Sequence, residues 1–133
     1  MKMKIKYVAK NLTDLKTIST FVLNKLTPSK MVLLSGELGA GKTALIKQIA
    51  KDLKIKENIT SPTFNYIKIY NGLVHIDAYN LNGDLSEFED YFEDNLIAIE
   101  WAENIDLYVD NYLYINVKVL ENNSREYIIK VRN

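Results

Sequence analysis

One segment of eight residues restricts the fold of this chain more than any other. Residues 36–43 read GELGAGKT and match the pattern G-x-x-x-x-G-K-[ST], which is typical of a phosphate-binding loop. The apolar run just before it, residues 31–35, is typical of a strand buried on both faces. The segment just after it carries apolar residues at helical spacing and predicts a helix over residues 42–53. A strand, a glycine-rich turn and a helix in this order predict an α/β fold built around a phosphate site.

The fixed positions of this segment each have a chemical reason. Glycines let the backbone wrap so that its N–H groups point at phosphate oxygens, and the start of the following helix adds partial positive charge. We expect the Lys42 ammonium to reach the β- and γ-phosphates and the Thr43 hydroxyl to ligate Mg²⁺. The alternative is a plain glycine turn between a strand and a helix. At average composition the four fixed positions match by chance in under about one chain in a hundred of this length, so we favour a nucleotide site.

Two carboxylates are candidates for holding the metal and the attacking water. Glu100 follows the apolar run 96–99, and Asp77 ends the strand predicted over residues 73–77. Magnesium in such sites takes a carboxylate from a strand end beside the loop. Either side chain could hold the ion or its water, and either could position a water for attack on the phosphate. Spacing alone leaves the two roles open.

Two aromatic side chains near these carboxylates are interpreted more modestly. His75 is read as a strand side chain rather than as a catalyst, because no nucleophile lies at a suitable spacing from it. Trp101 is interpreted as a packed aromatic side chain.

The segment Ser61-Pro62-Thr63 is either a simple turn or a hydroxyl-rich loop that senses the γ-phosphate.

The rest of the chain predicts further elements within a single domain, residues 1–133. Apolar residues at helical spacing between Leu12 and Leu26 predict a helix with Asn11 or Thr13 as its N-cap. The other predicted elements are strands over residues 4–9, 64–70, 112–120 and 125–132, with an Asn-Gly turn after the second of them, and an acidic helix over residues 84–95. These patterns predict an α/β P-loop NTPase fold with a mixed central sheet flanked by helices.

Composition excludes several kinds of site. The chain has 133 residues with no cysteine and one histidine, which excludes disulfides, thiolate zinc sites, a cysteine nucleophile and a site with several histidine ligands. The longest apolar runs have four residues, far fewer than a membrane-spanning helix needs. We therefore expect a cytoplasmic protein.

Charge is balanced in sum, with 17 basic and 17 acidic residues, but it is segregated along the chain. Residues 1–68 hold 13 lysines and four acidic residues, whereas residues 69–117 hold 11 acidic residues and no lysine or arginine. This asymmetry indicates either a dipolar surface that attracts a partner or two solvated segments that folding mixes in space.

Arginine is absent before Arg125, and this narrows the possible activities. P-loop kinases for small molecules usually gather several arginines in a lid, and fast hydrolysis usually needs an arginine finger. We therefore expect slow intrinsic ATP hydrolysis, with a partner supplying the missing charge. A small-molecule P-loop kinase and a nucleotide-binding module that never hydrolyses ATP remain as alternatives.

Four motifs taken in order resemble those of the TsaE family, also called YjeE, over nearly the whole chain. They are the loop 36–43, the segment Ser61-Pro62-Thr63-Phe64, the pattern His75-x-Asp77-x-Tyr79 and the pair Glu100-Trp101. The loop alone is generic, whereas the ordered set is specific. The resemblance implies an ATPase that binds Mg-ATP and serves threonylcarbamoyladenosine synthesis at position 37 of tRNAs reading ANN codons. It also implies that the protein acts with TsaB and TsaD, which form a heterodimer, and that it contacts tRNA indirectly, through that complex.

The same resemblance implies roles for individual residues. Magnesium ligands are implied at Thr43 and Glu100, and catalytic roles at Asp77, Glu100 and Lys42. Nucleotide contacts are implied at Glu37, Leu38, Gly39, Ala40, Gly41, Lys42, Thr43, Asp77 and Trp101.

Two positions depart from the family pattern. Asn80 stands where the family usually has arginine after the tyrosine of the third motif, and Ala44 stands where it often has a second threonine. The missing arginine removes one cationic contact, which affects either intrinsic hydrolysis or docking to a partner.

Overall fold

The strands of the computed structural model lie in one sheet. The structure describes residues 2–37, 39–60, 62, 66–81 and 83–133. Within them the strands are β1 Lys2–Ala9, β2 Met31–Ser35, β3 Ile67–Tyr70, β4 Leu73–Asp77, β5 Leu96–Glu100, β6 Tyr112–Val119 and β7 Arg125–Arg132. Their spatial order is β1-β7-β6-β2-β5-β4-β3. Strand β2 pairs in parallel with β5 and β6, β4 pairs in parallel with β5, and the remaining pairs are antiparallel, which confirms the predicted mixed sheet.

Two α-helices cover one face of this sheet, α1 (Leu15–Asn24) and α2 (Lys42–Asp52). A 3₁₀ turn, Leu12–Asp14, precedes α1, and the Asn11 side chain accepts a hydrogen bond from the Asp14 backbone N–H. Asn11 therefore caps this turn rather than α1, whose N-cap position is Asp14 and has no side-chain hydrogen bond. The apolar stripes of both helices pack on alternate residues of the central strands. The buried residues on this side include Ile18, Val22, Leu45, Ile49, Val32, Leu34, Ala98 and Ile115.

The opposite face is covered over β2, β4 and β5 by the segments before and after β5, residues 78–81, 83–95 and 101–109. The buried side chains of these segments, such as Leu85, Phe88 and Ile105, pack against the other alternate set of strand residues. Every residue of β2 and of β5 is therefore buried, which confirms the interpretation of the two continuous apolar runs as strands enclosed on both faces.

Two pairs of consecutive strands form antiparallel hairpins, the first at the predicted Asn-Gly turn. Strands β3 and β4 pair antiparallel around the Asn-Gly turn, where Gly72 has φ 102°. Strands β6 and β7 pair antiparallel around a turn in which Asn123 has φ 64°. Strand β3 begins at Ile67 rather than at residue 64; residues 64 and 65 lie outside the described residues.

The predicted acidic helix over residues 84–95 is wrong. The segment holds a 3₁₀ helix over Ser86–Tyr91, with i→i+3 backbone hydrogen bonds such as Phe88 N–H to the Leu85 carbonyl. Six acidic residues fall between positions 84 and 94 with no basic residue among them. Like charges three and four residues apart repel on an α-helix, and no cation of the segment offsets them.

The topology brings three strand ends to one edge of the sheet. Because β2, β4 and β5 run parallel, their carboxyl ends lie side by side, and Glu100 pairs in register with both Leu34 and Asp77. Such an edge of an α/β sheet is where ligands bind. None of the helices in the described part of the chain has the length and apolar character needed to cross a bilayer.

Candidate functional site

The glycine-rich loop joins the end of β2 to the start of α2. Gly36, Gly39 and Gly41 have φ of 142°, 79° and 119°, in the region that L side chains disfavour. Two of them also lack room for a side chain. A Cβ atom at Gly36 would collide with the Val117 carbonyl oxygen, and one at Gly41 would lie 2.7 Å from the Tyr127 hydroxyl. Leu38, also predicted to contact nucleotide, lies outside the described residues.

Tyr127 on β7 anchors the end of this loop, a role that the sequence analysis missed. Its hydroxyl donates to the Gly41 carbonyl at 3.1 Å, and the residue is 1% exposed. Burial raises the pKa of Tyr127 to about 12, with Arg125 opposing the shift. The hydroxyl therefore stays protonated as a donor over the ordinary pH range. The alternation of apolar and polar residues on β7 predicts an inward side chain at this position, but nothing in the sequence identifies its partner.

Lys42, the first residue of α2, is 4% exposed. Its ammonium donates to the Gly36 carbonyl and to the Glu37 carbonyl, the latter at 3.3 Å. The nitrogen lies 3.9 Å from the centre of the Trp101 ring, a cation–π contact. Burial lowers the pKa of Lys42, and the carboxylates of Glu100, Glu103 and Asp77 oppose that shift. The cation is thus held at the loop by carbonyls and an aromatic ring, with acidic groups nearby.

Thr43 and Glu100, the two predicted magnesium ligands, are in direct contact. The Thr43 hydroxyl lies 3.1 Å from Glu100 Oε1 and 3.0 Å from Oε2. Glu100 is 5% exposed and also lies beside His75, whose Nε2 is 2.7 Å from Oε2. His75 is therefore a buried strand residue, as interpreted, but one in contact with a candidate metal ligand.

Asp77 and Trp101 lie on the same edge. Asp77 is half-buried, and its Oδ1 accepts a hydrogen bond from the Tyr79 backbone N–H at 3.0 Å. Trp101 follows Glu100 with φ 58°, so the chain turns sharply after β5 and places the indole beside the loop. Its ring packs edge-on against Tyr79 with centroids 4.9 Å apart. The four residues Lys42, Asp77, Glu100 and Trp101, spread over the sequence, therefore meet in one place.

These side chains line a cleft of about 590 Å³. The lining residues are Gly39, Gly41, Lys42, Thr43, Ala44, Pro62, Tyr66, Asp77, Tyr79, Asn80, Glu100 and Trp101. Pro62 is the one described residue of the predicted Ser-Pro-Thr loop; Ser61 and Thr63 lie outside the described residues. Both departures from the family pattern, Ala44 and Asn80, lie in the lining. Of the predicted nucleotide contacts within the loop, Glu37 is exposed and Ala40 is buried, and neither belongs to the cleft lining.

The donor atoms in the cleft fit magnesium. A hydroxyl and a carboxylate are hard oxygen ligands, and Mg²⁺ commonly takes only one or two protein ligands, with phosphate oxygens and waters completing its octahedron. No group of three or more histidine, cysteine or acidic side chains suited to a metal occurs among the described residues. The pair Thr43–Glu100 therefore suits an ion that arrives with a nucleotide rather than one held by protein ligands alone.

Comparisons with known proteins agree with this arrangement. The family described as threonylcarbamoyl adenosine biosynthesis protein TsaE matches residues 9–127. The chain is 38% identical over 130 residues to tRNA threonylcarbamoyladenosine biosynthesis protein TsaE of Rickettsia typhi, covering 90% of each chain. It is 33% identical over 132 residues to the Treponema pallidum protein of the same name, covering 90% of this chain and 95% of the other. The crystal structure of Bacillus subtilis YdiB superposes with a TM-score of 0.73 at 27% identity, covering all of this chain and 88% of that one. The chain therefore belongs to the TsaE family.

Proposed function

We propose that this protein is an Mg-dependent ATPase of tRNA threonylcarbamoyladenosine biosynthesis. In this proposal it binds and hydrolyses ATP in the cleft and acts with TsaB and TsaD in modifying position 37 of tRNAs that read ANN codons. It meets tRNA indirectly, through that complex, in the cytoplasm. The observation that carries the proposal is the meeting of Lys42, Thr43 and Glu100 at a glycine-rich loop in a member of the TsaE family.

The loop and Lys42 supply the phosphate contacts in this proposal. The positive-φ glycines and the first turn of α2 present backbone N–H groups, which suit phosphate oxygens. The Lys42 ammonium exchanges its contacts with the Gly36 and Glu37 carbonyls for contacts with phosphate oxygens. The ammonium's hydrogen bond to a neutral carbonyl is already charge-assisted, and a bond to a phosphate oxygen adds the attraction of two opposite charges. The exchange therefore favours the bound state.

Thr43 and Glu100 would hold the magnesium ion, which neutralises phosphate charge when it is bound. Asp77, at the end of the neighbouring strand, accepts a hydrogen bond from the attacking water and so orients it. Trp101 and Tyr79 form an aromatic wall on which the nucleotide packs.

Slow intrinsic turnover is part of the proposal. The described lining of the cleft contains one cationic side chain, Lys42, and no arginine. Asn80 occupies the position where the family usually carries arginine, and its amide brings no charge. Transition-state charge on the phosphoryl group therefore lacks a second cation until a partner supplies one. A small-molecule kinase needs such cations as well, and the chain's family membership gives no support to that alternative.

The test is Mg-ATP turnover by the purified chain, alone and with its TsaB–TsaD pair. We expect slow hydrolysis alone and strong stimulation by the pair. Lys42→Ala is the control for contaminating ATPase and should remove both rates. Unchanged turnover on adding TsaB–TsaD would contradict the regulatory part of the proposal. An equal rate from Lys42→Ala would contradict the assignment of the site.

A further inference from the structure

The chain's single histidine contacts a candidate metal ligand, which its position in a strand does not by itself predict. His75 lies on β4 and is fully buried, with 0% exposure. Its Nε2 lies 2.7 Å from Glu100 Oε2. Its Nδ1 has no hydrogen-bond partner among the described residues. The imidazole is buried, and its hydrogen bond is to a carboxylate at the proposed nucleotide cleft. This arrangement requires an explanation, because buried polar atoms normally all have hydrogen-bond partners.

The surroundings of the two ring nitrogens of His75 favour one tautomer. A neutral ring with its proton on Nε2 donates that proton to Glu100 and leaves Nδ1 as an acceptor. A ring protonated on Nδ1 would bury an unpaired N–H and bring a lone pair against a carboxylate oxygen, and both arrangements are unfavourable. The geometry therefore favours a fixed donor directed at Glu100.

Strand pairing explains how the ring reaches this oxygen. Alternate residues of a strand point to the same face, so His75 and Asp77 share a face of β4. The residue paired with His75 on the adjacent β5 is Ala98, whose side chain is a methyl group. Glu100, two residues further along β5, shares the face of Ala98. The small side chain at Ala98 leaves space in which the imidazole and the carboxylate meet.

We propose that His75 is a positioning residue that orients the Glu100 carboxylate for the magnesium ion. This inference rests on the proposed Mg-ATP site and names a residue to which that proposal gives no role. A glutamate has three side-chain torsions, and an unrestrained carboxylate loses freedom when it binds a metal. The hydrogen bond from His75 to Oε2 fixes the carboxylate in advance and directs Oε1 and Oε2 toward Thr43. Ligating carboxylates are commonly held by such outer partners, whose loss typically costs about 10- to 100-fold in metal affinity.

The experiment separates metal affinity from nucleotide affinity. Mn²⁺ replaces Mg²⁺, and free Mn²⁺ is followed by electron paramagnetic resonance at saturating non-hydrolysable ATP analogue. Nucleotide affinity without metal is measured separately in EDTA. The variants are His75→Leu, which removes the donor, and His75→Gln, whose amide nitrogen reaches the position of Nε2. Ile76→Ala is the matched control, because Ile76 is equally buried on the same strand but points to the opposite face.

We expect His75→Leu to weaken Mn²⁺ binding by about 10-fold or more while nucleotide affinity in EDTA changes by less than about twofold. His75→Gln should recover most of the Mn²⁺ affinity, and Ile76→Ala should leave it unchanged while lowering thermal stability. If His75→Leu does not fold, His75→Asn replaces it, because the shorter amide does not reach Glu100. Combined with Glu100→Ala, the histidine substitution should have no further effect on Mn²⁺ affinity.

Unchanged Mn²⁺ affinity in a folded variant that lacks the donor would overturn the inference. An equal loss of Mn²⁺ affinity in Ile76→Ala would also overturn it, because the effect would then follow stability. Failure of the proposed Mg-ATP site itself would look different, because the wild-type chain would then bind no metal–nucleotide complex at all.

Discussion

The ends of the neighbouring strands β4 and β5 each carry a carboxylate into the same cleft, but their surroundings differ. Glu100, at the end of β5, is 5% exposed and contacts both the Thr43 hydroxyl and the His75 ring. Asp77, at the end of β4, is half-buried and accepts a hydrogen bond from a backbone N–H. A carboxylate held by two side chains suits a fixed metal ligand. A more exposed carboxylate is suited to orienting a water molecule. On this difference we assign Glu100 as the metal ligand and Asp77 as the residue that orients water.

Substitution of Asp77 by asparagine is expected to have the largest effect. Asp77→Asn keeps the size of the side chain and an oxygen that can accept from the Tyr79 N–H, but it removes the charge that activates water. We expect turnover in the presence of TsaB–TsaD to fall by about 100-fold or more, with Mg²⁺ affinity little changed. Steady-state kinetics and a metal titration measure the two quantities. Asp110→Asn, at an exposed aspartate outside the cleft lining, is the control. A loss of Mg²⁺ affinity in Asp77→Asn would exchange the two roles.

Substitution of Glu100 by glutamine tests the other half of the comparison. The amide keeps an oxygen near Thr43 but loses the negative charge, and a contact with a charged group is worth about 1.5 to 3 kcal/mol. Because each 1.4 kcal/mol is tenfold, Mg²⁺ affinity at saturating nucleotide should fall by roughly 10- to 100-fold, while nucleotide affinity in EDTA should change little. Glu103→Gln is a matched control, because Glu103 also acts on the Lys42 charge but is exposed. An Mg²⁺ affinity like that of wild type in Glu100→Gln would remove it as a metal ligand.

Substitution of Tyr127 by phenylalanine should have the smallest effect. Tyr127 holds the glycine-rich loop, which lies opposite both carboxylates in the cleft. Losing the hydrogen bond to the Gly41 carbonyl should cost about 1 kcal/mol of unfolding free energy, measured by urea denaturation. Tyr70→Phe is the control, because the buried Tyr70 hydroxyl has no hydrogen-bond partner among the described residues, so its removal should not destabilise the fold.

The pH dependence of Tyr127 follows from its raised pKa. In the folded state the pKa is about 12, above the ordinary value of about 10 for an unfolded chain. The folded state therefore retains the proton more strongly, and this stabilisation is complete below about pH 10 and is lost as pH rises toward 12. Wild type should lose more stability than Tyr127→Phe over this interval. Parallel pH profiles for the two proteins would contradict the buried environment assigned to the hydroxyl.

Local patterns predicted much of the fold because their signals act over few residues. The apolar runs of β2 and β5, the Asn-Gly turn before β4 and the glycines of the loop each determine a local conformation. The acidic helix was predicted wrongly because the apolar spacing of Leu85, Phe88 and Phe92 suits both an α-helix and a 3₁₀ segment that packs on the sheet. Repulsion among the acidic side chains of the segment disfavours the α-helix.

The site was predictable only in part, for a related reason. The motif identifies Lys42 and Thr43, and strand ends identify Asp77 and Glu100 as candidates. The contacts of Tyr127 with Gly41 and of His75 with Glu100 join residues 86 and 25 positions apart. They depend on which strands become neighbours in the sheet. Sequence spacing does not indicate which strands are neighbours, so the contacts of Tyr127 and His75 could be identified only from the structure.

Binding of ATP at the glycine-rich loop can be measured directly by titrating the purified chain with ATP and following its tryptophan fluorescence. Trp101 is the only tryptophan, and the Lys42 ammonium lies 3.9 Å from its ring. If Lys42 leaves the indole to bind phosphate, the fluorescence should change in a saturable way, at lower ATP concentration with Mg²⁺ than without it, and Lys42→Ala should abolish the response. No saturable change, together with no bound ATP in equilibrium dialysis, would contradict the account.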